Sequence, residues 1–315
     1  MDNCDWQASK GHKKNTIELI VMKNTFTIDV EDGINIAMRD HFQVEMPPTD
    51  RVVKNTSRIL DLLAKHDTKA TFFTLGQVAE HYPNLLKRID AEGHEVGVHS
   101  YNHIQFFKLN PEAAREDLYR AKNTIEGIIG RKAKGFRAPA FSVRPDTKWA
   151  LDIISELGFE YDSSIVPART DRYGWPGFSK NIQLLKLLSG RELIEVPLSS
   201  VDILGRSVPA GGGGYLRIFP YWFTKWALKR IQQNNFAMVY LHPYEIDTST
   251  YPDQYYEQMK KSPLKKQLLL KSIRYNKETV YPKLEKLLKA FSFNRLDENI
   301  QHALKENSVL VTKIL

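Results

Sequence analysis

Hydrophobic and polar positions alternate along residues 24–30 (NTFTIDV), a β-branched and aromatic run that predicts a strand. From Thr49 to Lys65 the period lengthens: Val52, Val53, Ile59, Leu60, Leu62 and Leu63 supply one apolar helical face, with Thr49 or Asp50 placed to cap it. The two patterns then take turns. Strands are predicted at Lys69–Leu75, His94–Val98, Gly135–Ala138, Phe159–Asp162, Leu193–Pro197 and Phe236–Leu241. Helices are predicted at Asn84–Glu92, Pro111–Ile129, Pro145–Leu157 and Val280–Phe291. Strands alternating with helices favour parallel pairing, as a doubly wound sheet or a barrel. Residues 246–278 break the pattern: they are polar, rich in Lys and Tyr, and without a strand signal. Three parts are expected: 1–21 as a disordered extension, 22–245 as the main domain, and 246–315 as an extension packed on it.

The chain has 315 residues, 42% apolar and 26% charged, which is ample for a core without disulfide or metal staples. Its one cysteine, Cys4, can form neither an internal disulfide nor a Cys-rich zinc site, which fits a reducing compartment. There is no run of about 18 apolar residues, so no membrane span is predicted. The first 22 residues do not read as a signal peptide, because Glu18 breaks a short apolar stretch. A cytoplasmic location is expected. The net charge of +8 raises nucleic acid or an anionic surface as partner. No helix-turn-helix or aromatic platform pattern supports nucleic acid. Basic residues crowd only between Lys260 and Lys289, among Leu264, Leu268, Leu269 and Leu270. That segment suits peripheral docking at the inner face of an anionic membrane. The competing reading is a solvated helix face with its leucines packed on the domain.

Five polar clusters follow predicted strands. Asp29-Val30-Glu31-Asp32 ends the first, and three carboxylates in four residues repel each other unless a cation or a function offsets the cost. On an extended chain Asp29 and Glu31 point the same way, while Asp32 points oppositely unless the chain turns, as Gly33 favours. His99 and His103 follow the third strand; in a helical turn both imidazoles would meet one metal. No glutamate follows His99, which excludes the H-E-x-x-H protease pattern. Arg137 suits a carboxylate clamp. Asp162 and His242 end two later strands. Taken singly, each has a plainer reading as a solvated turn, a packing histidine or a structural hydrogen-bonder. Taken together, they occupy the strand edge at which parallel α/β folds assemble their sites.

In this order the motifs resemble those of the polysaccharide deacetylases, the NodB-homology or carbohydrate esterase family 4 group, from about Asn24 to Tyr244. Thr27-Ile28-Asp29 with Val30-Glu31-Asp32 is similar to the T-F-D-D motif, and His99, Ser100 and His103 match H-[ST]-x-x-H. Arg137 and Pro139 match the third motif, Asp162 the fourth, and Leu241 with His242 the fifth. The D-V-E-D start, Gly212–Arg217 and the H-P-x-E run from His242 to Glu245 look closest to the PEP-CTERM/XrtA-associated exopolysaccharide subgroup. The resemblance implies an α/β fold, a distorted (β/α)7-type barrel with a C-terminal helical appendage. It implies Asp29 as general base, Arg137 orienting Asp29, His242 as general acid and Asp162 orienting His242. It makes His99 and His103 ligands of a divalent metal, zinc by ligand type with cobalt or nickel also accommodated. Glu31 and Asp32 stay open as the third ligand.

Substrate contacts are expected at Pro139, Tyr215 and Trp175. The family's tryptophan beside the fourth motif is missing here, with Trp175 or Trp222 as stand-ins, although Trp222 and Trp226 at helical spacing also read as core. The implied activity is removal of an N-acetyl group from an N-acetylated saccharide, polymeric or lipid-linked, in exopolysaccharide or O-antigen assembly. Two rivals stand beside it: an amidohydrolase of a small formamide or ureide, and a non-catalytic carbohydrate-binding scaffold.

Overall fold

The computed structural model describes residues 23–170, 173–306 and 308–313. The expected extension over 1–21, with Cys4, lies outside the described residues. The first alternating run forms β1 (Asn24–Val30), and all seven of its residues are buried. Phe26, Ile28 and Val30 join the main apolar core. The opposite face carries Thr25, Thr27 and Asp29, which are polar yet equally buried. A central strand covered on both sides has to satisfy that polar row internally.

The other strands are β2 (Thr71–Thr74), β3 (Glu95–Val98), β4 (Gly135–Phe136), β5 (Tyr161–Asp162), β6 (Gln183–Lys186), β7 (Glu192–Glu195), β8 (Ser200–Ile203), β9 (Arg206–Pro209), β10 (Met238–Leu241), β11 (Phe293–Asn294) and β12 (Leu310–Lys313). The helices are α1 (Gly33–Phe42), α2 (Arg51–Lys65), α3 (Gly76–His81), α4 (Pro83–Ala91), α5 (Pro111–Ile129), α6 (Trp149–Glu156), α7 (Gly214–Ile218), α8 (Tyr221–Ile231), α9 (Asp253–Lys261), α10 (Leu264–Arg274), α11 (Val280–Ala290) and α12 (Leu296–Lys305).

Seven strands run parallel in the order β10-β1-β2-β3-β4-β5-β7. This is the expected α/β architecture with helices between parallel strands. Among the described residues no ladder joins β7 to β10. The seam is instead bridged by Met238 N–H donating to Ser199 Oγ (2.7 Å) and by Val196, Leu198, Phe236 and Met238 in one apolar cluster. Antiparallel β6 and then β12 extend the sheet beyond β7, while β11 lies beside β1. Distant residues also brace β1. Asn24 N–H donates to Ser292 O (3.0 Å), and Asn299 Nδ2 donates to Thr25 Oγ1 (3.0 Å) across 274 residues of sequence. Among the described residues no helix is long and apolar enough to cross a membrane.

The longest helix forms where its pattern predicts. Asn110 Oδ1 caps α5 by accepting from Ala113 N–H (2.8 Å), Pro111 opens the first turn, and Gly130 closes it at φ 70°. Other elements depart from the reading. The predicted helix Pro145–Leu157 divides, because Thr147 Oγ1 accepts from Arg144 N–H (2.9 Å) and tightens the first turn to 3-10. Residues 246–278 hold α9 and α10. Leu264 and Leu268 on α10 are exposed, whereas Leu270 is buried against Ile34 and Tyr255.

His94, just before β3, is held neutral by its surroundings. Its Nδ1 accepts from Ala70 N–H (3.1 Å) and its ring meets Phe72 edge-on at 5.0 Å. Burial first, then Lys69, Arg295 and Arg88, lowers its pKa to about 4. The unfolded chain therefore takes up this proton first as pH falls, and stability drains away between the unfolded value and about 4. The loss attributable to His94 is on the order of 3 kcal/mol at most. Urea denaturation of His94→Gln should show a shallower decline over that window than the native chain; equal slopes would rule this out.

Candidate active site

The polar face of β1 meets a buried arginine. Arg137 Nη1 donates to Asp29 Oδ1 and to Thr27 Oγ1, both at 2.8 Å. Its other nitrogens donate to Ser163 O and Ser163 Oγ at 3.0 Å, and the guanidinium lies 4.3 Å over the Phe73 ring. Burial raises the Asp29 pKa, but Arg137, His99 and His242 outweigh it, so the carboxyl sits below its ordinary value. Sheet pairing continues one residue past β4 and β5, as Arg137 N–H donates to Val98 O and Ser163 N–H to Phe136 O. The chain then turns outward, with Ser164 Oγ accepting from Ala138 N–H (2.7 Å).

His99 follows β3. Its Nδ1 lies 2.8 Å from the Arg137 carbonyl, an acceptor only, so Nδ1 carries the proton and Nε2 offers its lone pair. That lone pair faces Glu31 Oε1 at 3.8 Å, and His103 Nε2 faces Glu31 Oε2 at 3.3 Å. The two imidazoles meet without a helical turn, because Ser100 and His103 adopt φ 67° and 57°. Ser100 Oγ accepts from His103 N–H (3.1 Å), and Asp117 on α5 accepts from Tyr101 and Asn102 N–H at 2.8 and 3.1 Å. Burial lowers the His99 pKa to about 4 and that of His103 well below its ordinary value, so both are neutral donors.

His242 follows β10. Its Nε2 stands 3.1 Å from Glu31 Oε1 and 3.8 Å from Asp29 Oδ2. Burial works against its imidazolium, but Glu31, Glu245 and Asp29 prevail and raise its pKa to about 9. The Tyr244 ring stacks on it at 4.8 Å and 12°. Gly33 makes that stack possible, since a Cβ there would lie 2.6 Å from Tyr244 Cγ. Glu31 is pushed up to about 8 by burial; His242 opposes the rise, and Asp29 and Glu245 add to it. On the side away from His242, Glu31 faces two neutral imidazoles whose lone pairs have no cation between them and its carboxyl. Glu31, His99 and His103 offer ligand atoms within 4.8 Å of one another, as do Asp29, Glu31 and His242. The first set, with its histidine oriented by a carbonyl, fits a divalent ion.

The structure separates two residues from this group. Asp32 caps α1: its Oδ1 accepts from Ile34 N–H (2.8 Å) and its Oδ2 from Thr49 N–H. Both oxygens are thus committed to backbone, and the carboxylate facing both imidazoles is that of Glu31. The resemblance assigns Asp162 to orient His242, but the structure places it elsewhere. Four strands lie between β5 and β10 in the sheet, and Asp162 bonds to Ser164 Oγ beside Glu195. The His242 Nδ1 side instead faces Glu245 Oε2 at 3.6 Å. The i,i+3 spacing in H-P-x-E is the signal that would have found Glu245; Asp117, mid-helix, carries no such mark.

Of the expected substrate contacts, Pro139 is buried and opens a turn in which exposed Ala140 and buried Phe141 have φ 49° and 51°. Phe141 packs against Tyr240 (5.0 Å) and Tyr173 (5.8 Å), and the Tyr173 hydroxyl lies 3.4 Å from that of Tyr215. Tyr215 is therefore linked to the site through rings. Trp175 packs on Phe178 (5.2 Å), and its contacts are with the core.

Residues 45–161 match the family model described as polysaccharide deacetylase. Over those residues, little more than a third of the chain, the sequence is similar to that family. Residues 163–301 match a second model, a domain of unknown function (DUF3473), which takes in Glu195, His242 and Glu245. The peptidoglycan-N-acetylglucosamine deacetylase of Bacillus cereus is 35% identical over 125 residues, 39% of this chain and 42% of that protein. The chain spans less than half the length of the curated relatives it matches. A candidate polysaccharide deacetylase structure from Mycobacterium smegmatis superposes with TM-score 0.61 at 17% identity, covering 93% of this chain and 94% of the other. The Puue allantoinase structure superposes with TM-score 0.57 at 15% identity, covering 89% of each. At those identities the two share the fold with this chain.

Removing the guanidinium leaves the Asp29 charge buried and unpaired. Arg137→Met should cost about 3–5 kcal/mol in chemical denaturation. Adding Asp29→Asn to that variant should restore part of the loss, and no recovery would show that the two groups are uncoupled.

Proposed function

We propose that the protein is a metal-dependent hydrolase that removes the N-acetyl group of an N-acetylated saccharide. The observation carrying this is Glu31 facing His99 and His103 while Asp29 and His242 converge beside it. A divalent cation held by His99, His103 and Glu31, zinc first and cobalt or nickel next, would act as a Lewis acid and bring a water's pKa near neutral. Asp29, kept ionised and aimed by Arg137, accepts the proton of the attacking water. The water oxygen bonds to the acyl carbon and the C–N bond breaks. His242, an imidazolium steadied by Glu245 and Tyr244, gives its proton to the departing nitrogen, because an amine anion leaves poorly. The products are acetate and an amino sugar.

The family match over residues 45–161 and the name of the Bacillus cereus relative support a saccharide over a ureide. The D-V-E-D, G-G-G-Y-x-R and H-P-x-E runs support the exopolysaccharide subgroup, hence work on surface polysaccharide or its lipid-linked precursor.

Acetate release from N-acetylglucosamine oligomers by the zinc-loaded chain tests the reading. Asp29→Asn should lower kcat by about 10²–10⁴ and leave zinc retention on equilibrium dialysis intact. His103→Ala should lose the metal. Turnover of ureides but not of N-acetylated sugars would replace this assignment with the small-amide reading, and a native chain that binds no divalent ion would replace it with the scaffold reading.

A further inference from the structure

Helices α7 and α8 present an apolar face to solvent. Trp222 is 69% exposed, Ile218 64% and Trp226 44%. The core reading of the two tryptophans fails because Thr224, Ala227 and Leu228 take the inward side of α8. Basic groups frame this face. From Leu204 to Tyr244 the chain has no Asp or Glu, while Lys225, Lys229 and Arg230 fall within α8. Lys225 and, from α11, Lys286 lie 6.0 and 5.7 Å from the centre of the Tyr221 ring.

The face is continuous with the candidate site. Phe223 packs against Trp222 (5.9 Å), Trp226 (5.6 Å) and Phe219 (4.4 Å), and Phe219 stacks on Tyr215 (5.6 Å). Tyr215 reaches Tyr173 through their hydroxyls, Tyr173 leads by ring contacts to Phe141 and Tyr240, and the Tyr240 ring meets that of His242 edge-on at 5.9 Å.

We infer that the α7–α8 face docks on an anionic phospholipid bilayer, with Trp222, Trp226 and Ile218 seated at headgroup depth and Lys225, Lys229 and Arg230 against lipid phosphates. Charge complementarity selects this occupant. Tryptophans flanked by lysines suit the interface between acyl chains and headgroups. A glycan would use the rings but gains nothing from exposed Ile218, which offers no flat face to a sugar. The ring contacts that run from this face to His242 make a lipid-linked saccharide the substrate such docking would serve. That last step rests on the deacetylase reading; the docking itself does not.

Flotation of the full chain with phosphatidylcholine vesicles containing about 30% phosphatidylglycerol, against pure phosphatidylcholine, reads the docking. Anionic vesicles should carry roughly tenfold more protein at 0.1 M salt, and the excess should vanish near 1 M. Trp222→Ser/Trp226→Ser and, separately, Lys225→Glu/Lys229→Glu should each cut the bound fraction about fivefold. Circular dichroism should be unchanged in both variants, and acetate release from soluble oligomers unchanged in Lys225→Glu/Lys229→Glu. Undiminished flotation of both variants, or equal capture by neutral vesicles, overturns the inference. So does variant-sensitive binding of soluble chitooligosaccharide without vesicle binding, which would make the face a glycan platform. Hydrolysis without flotation sinks the docking alone, and flotation without hydrolysis sinks the deacetylase reading alone.

Discussion

A cation enclosed among strand ends sets the terms for the rest of this molecule. Arg137 is fully buried, and its hydrogen bonds are distributed over Asp29, Thr27 and Ser163. Burying a guanidinium is tolerable only when every donor is met and an opposite charge lies close. The polar face of β1, the seryl pair after β5 and the carbonyl that fixes His99 are all arranged around that requirement. The ion pair is thus more than a local contact. It determines the face on which β1 can be polar, and it holds ionised a carboxylate that burial alone would protonate.

The opposite condition holds one residue pair away. Glu31 is buried without an arginine hydrogen-bonded to it, and the His242 imidazolium offsets only part of the burial and of the two further carboxylates beside it. The two acids therefore respond to the same burial in opposite senses, Asp29 lowered and Glu31 raised. Under the proposed reading, such a divergence between neighbouring groups would let a single strand end supply a proton acceptor and a cation ligand side by side.

Much of this was legible in the sequence where one rule acts alone. β1 and α5 follow directly from alternation and from the Asn-Pro start and Gly stop, and the pairing of Asp29 with Glu31 on one side follows from strand geometry. What stayed hidden depended on partners far away in sequence. Asp32 read as one more acid in a cluster because its capping role requires α1, whose opening Gly-Ile-Asn does not announce a helix. Asp162 seemed suited to His242 from motif order, but motif order says nothing of the four strands between them. Glu245 took that place through a three-residue spacing that the prominence of the histidine concealed. The exposure of Trp222 contradicts a sound periodicity argument, because smaller residues on α8 already fill the inward side.

The bracing of β1 has a consequence for how the chain acquires its shape. The strand's neighbours β10 and β11, and the Asn299 amide that ties Thr25, belong to segments made long after it. A nascent chain emerging from the ribosome therefore holds its acidic strand with one flank unzipped through most of synthesis. High contact order of this kind slows the search for the native pairing and lengthens the time that unpaired edges stay open. Assembly of the polar cluster is in that sense a late, cooperative event, and a chain built from the first half alone would lack His242, which faces Asp29, and Glu245, which faces His242.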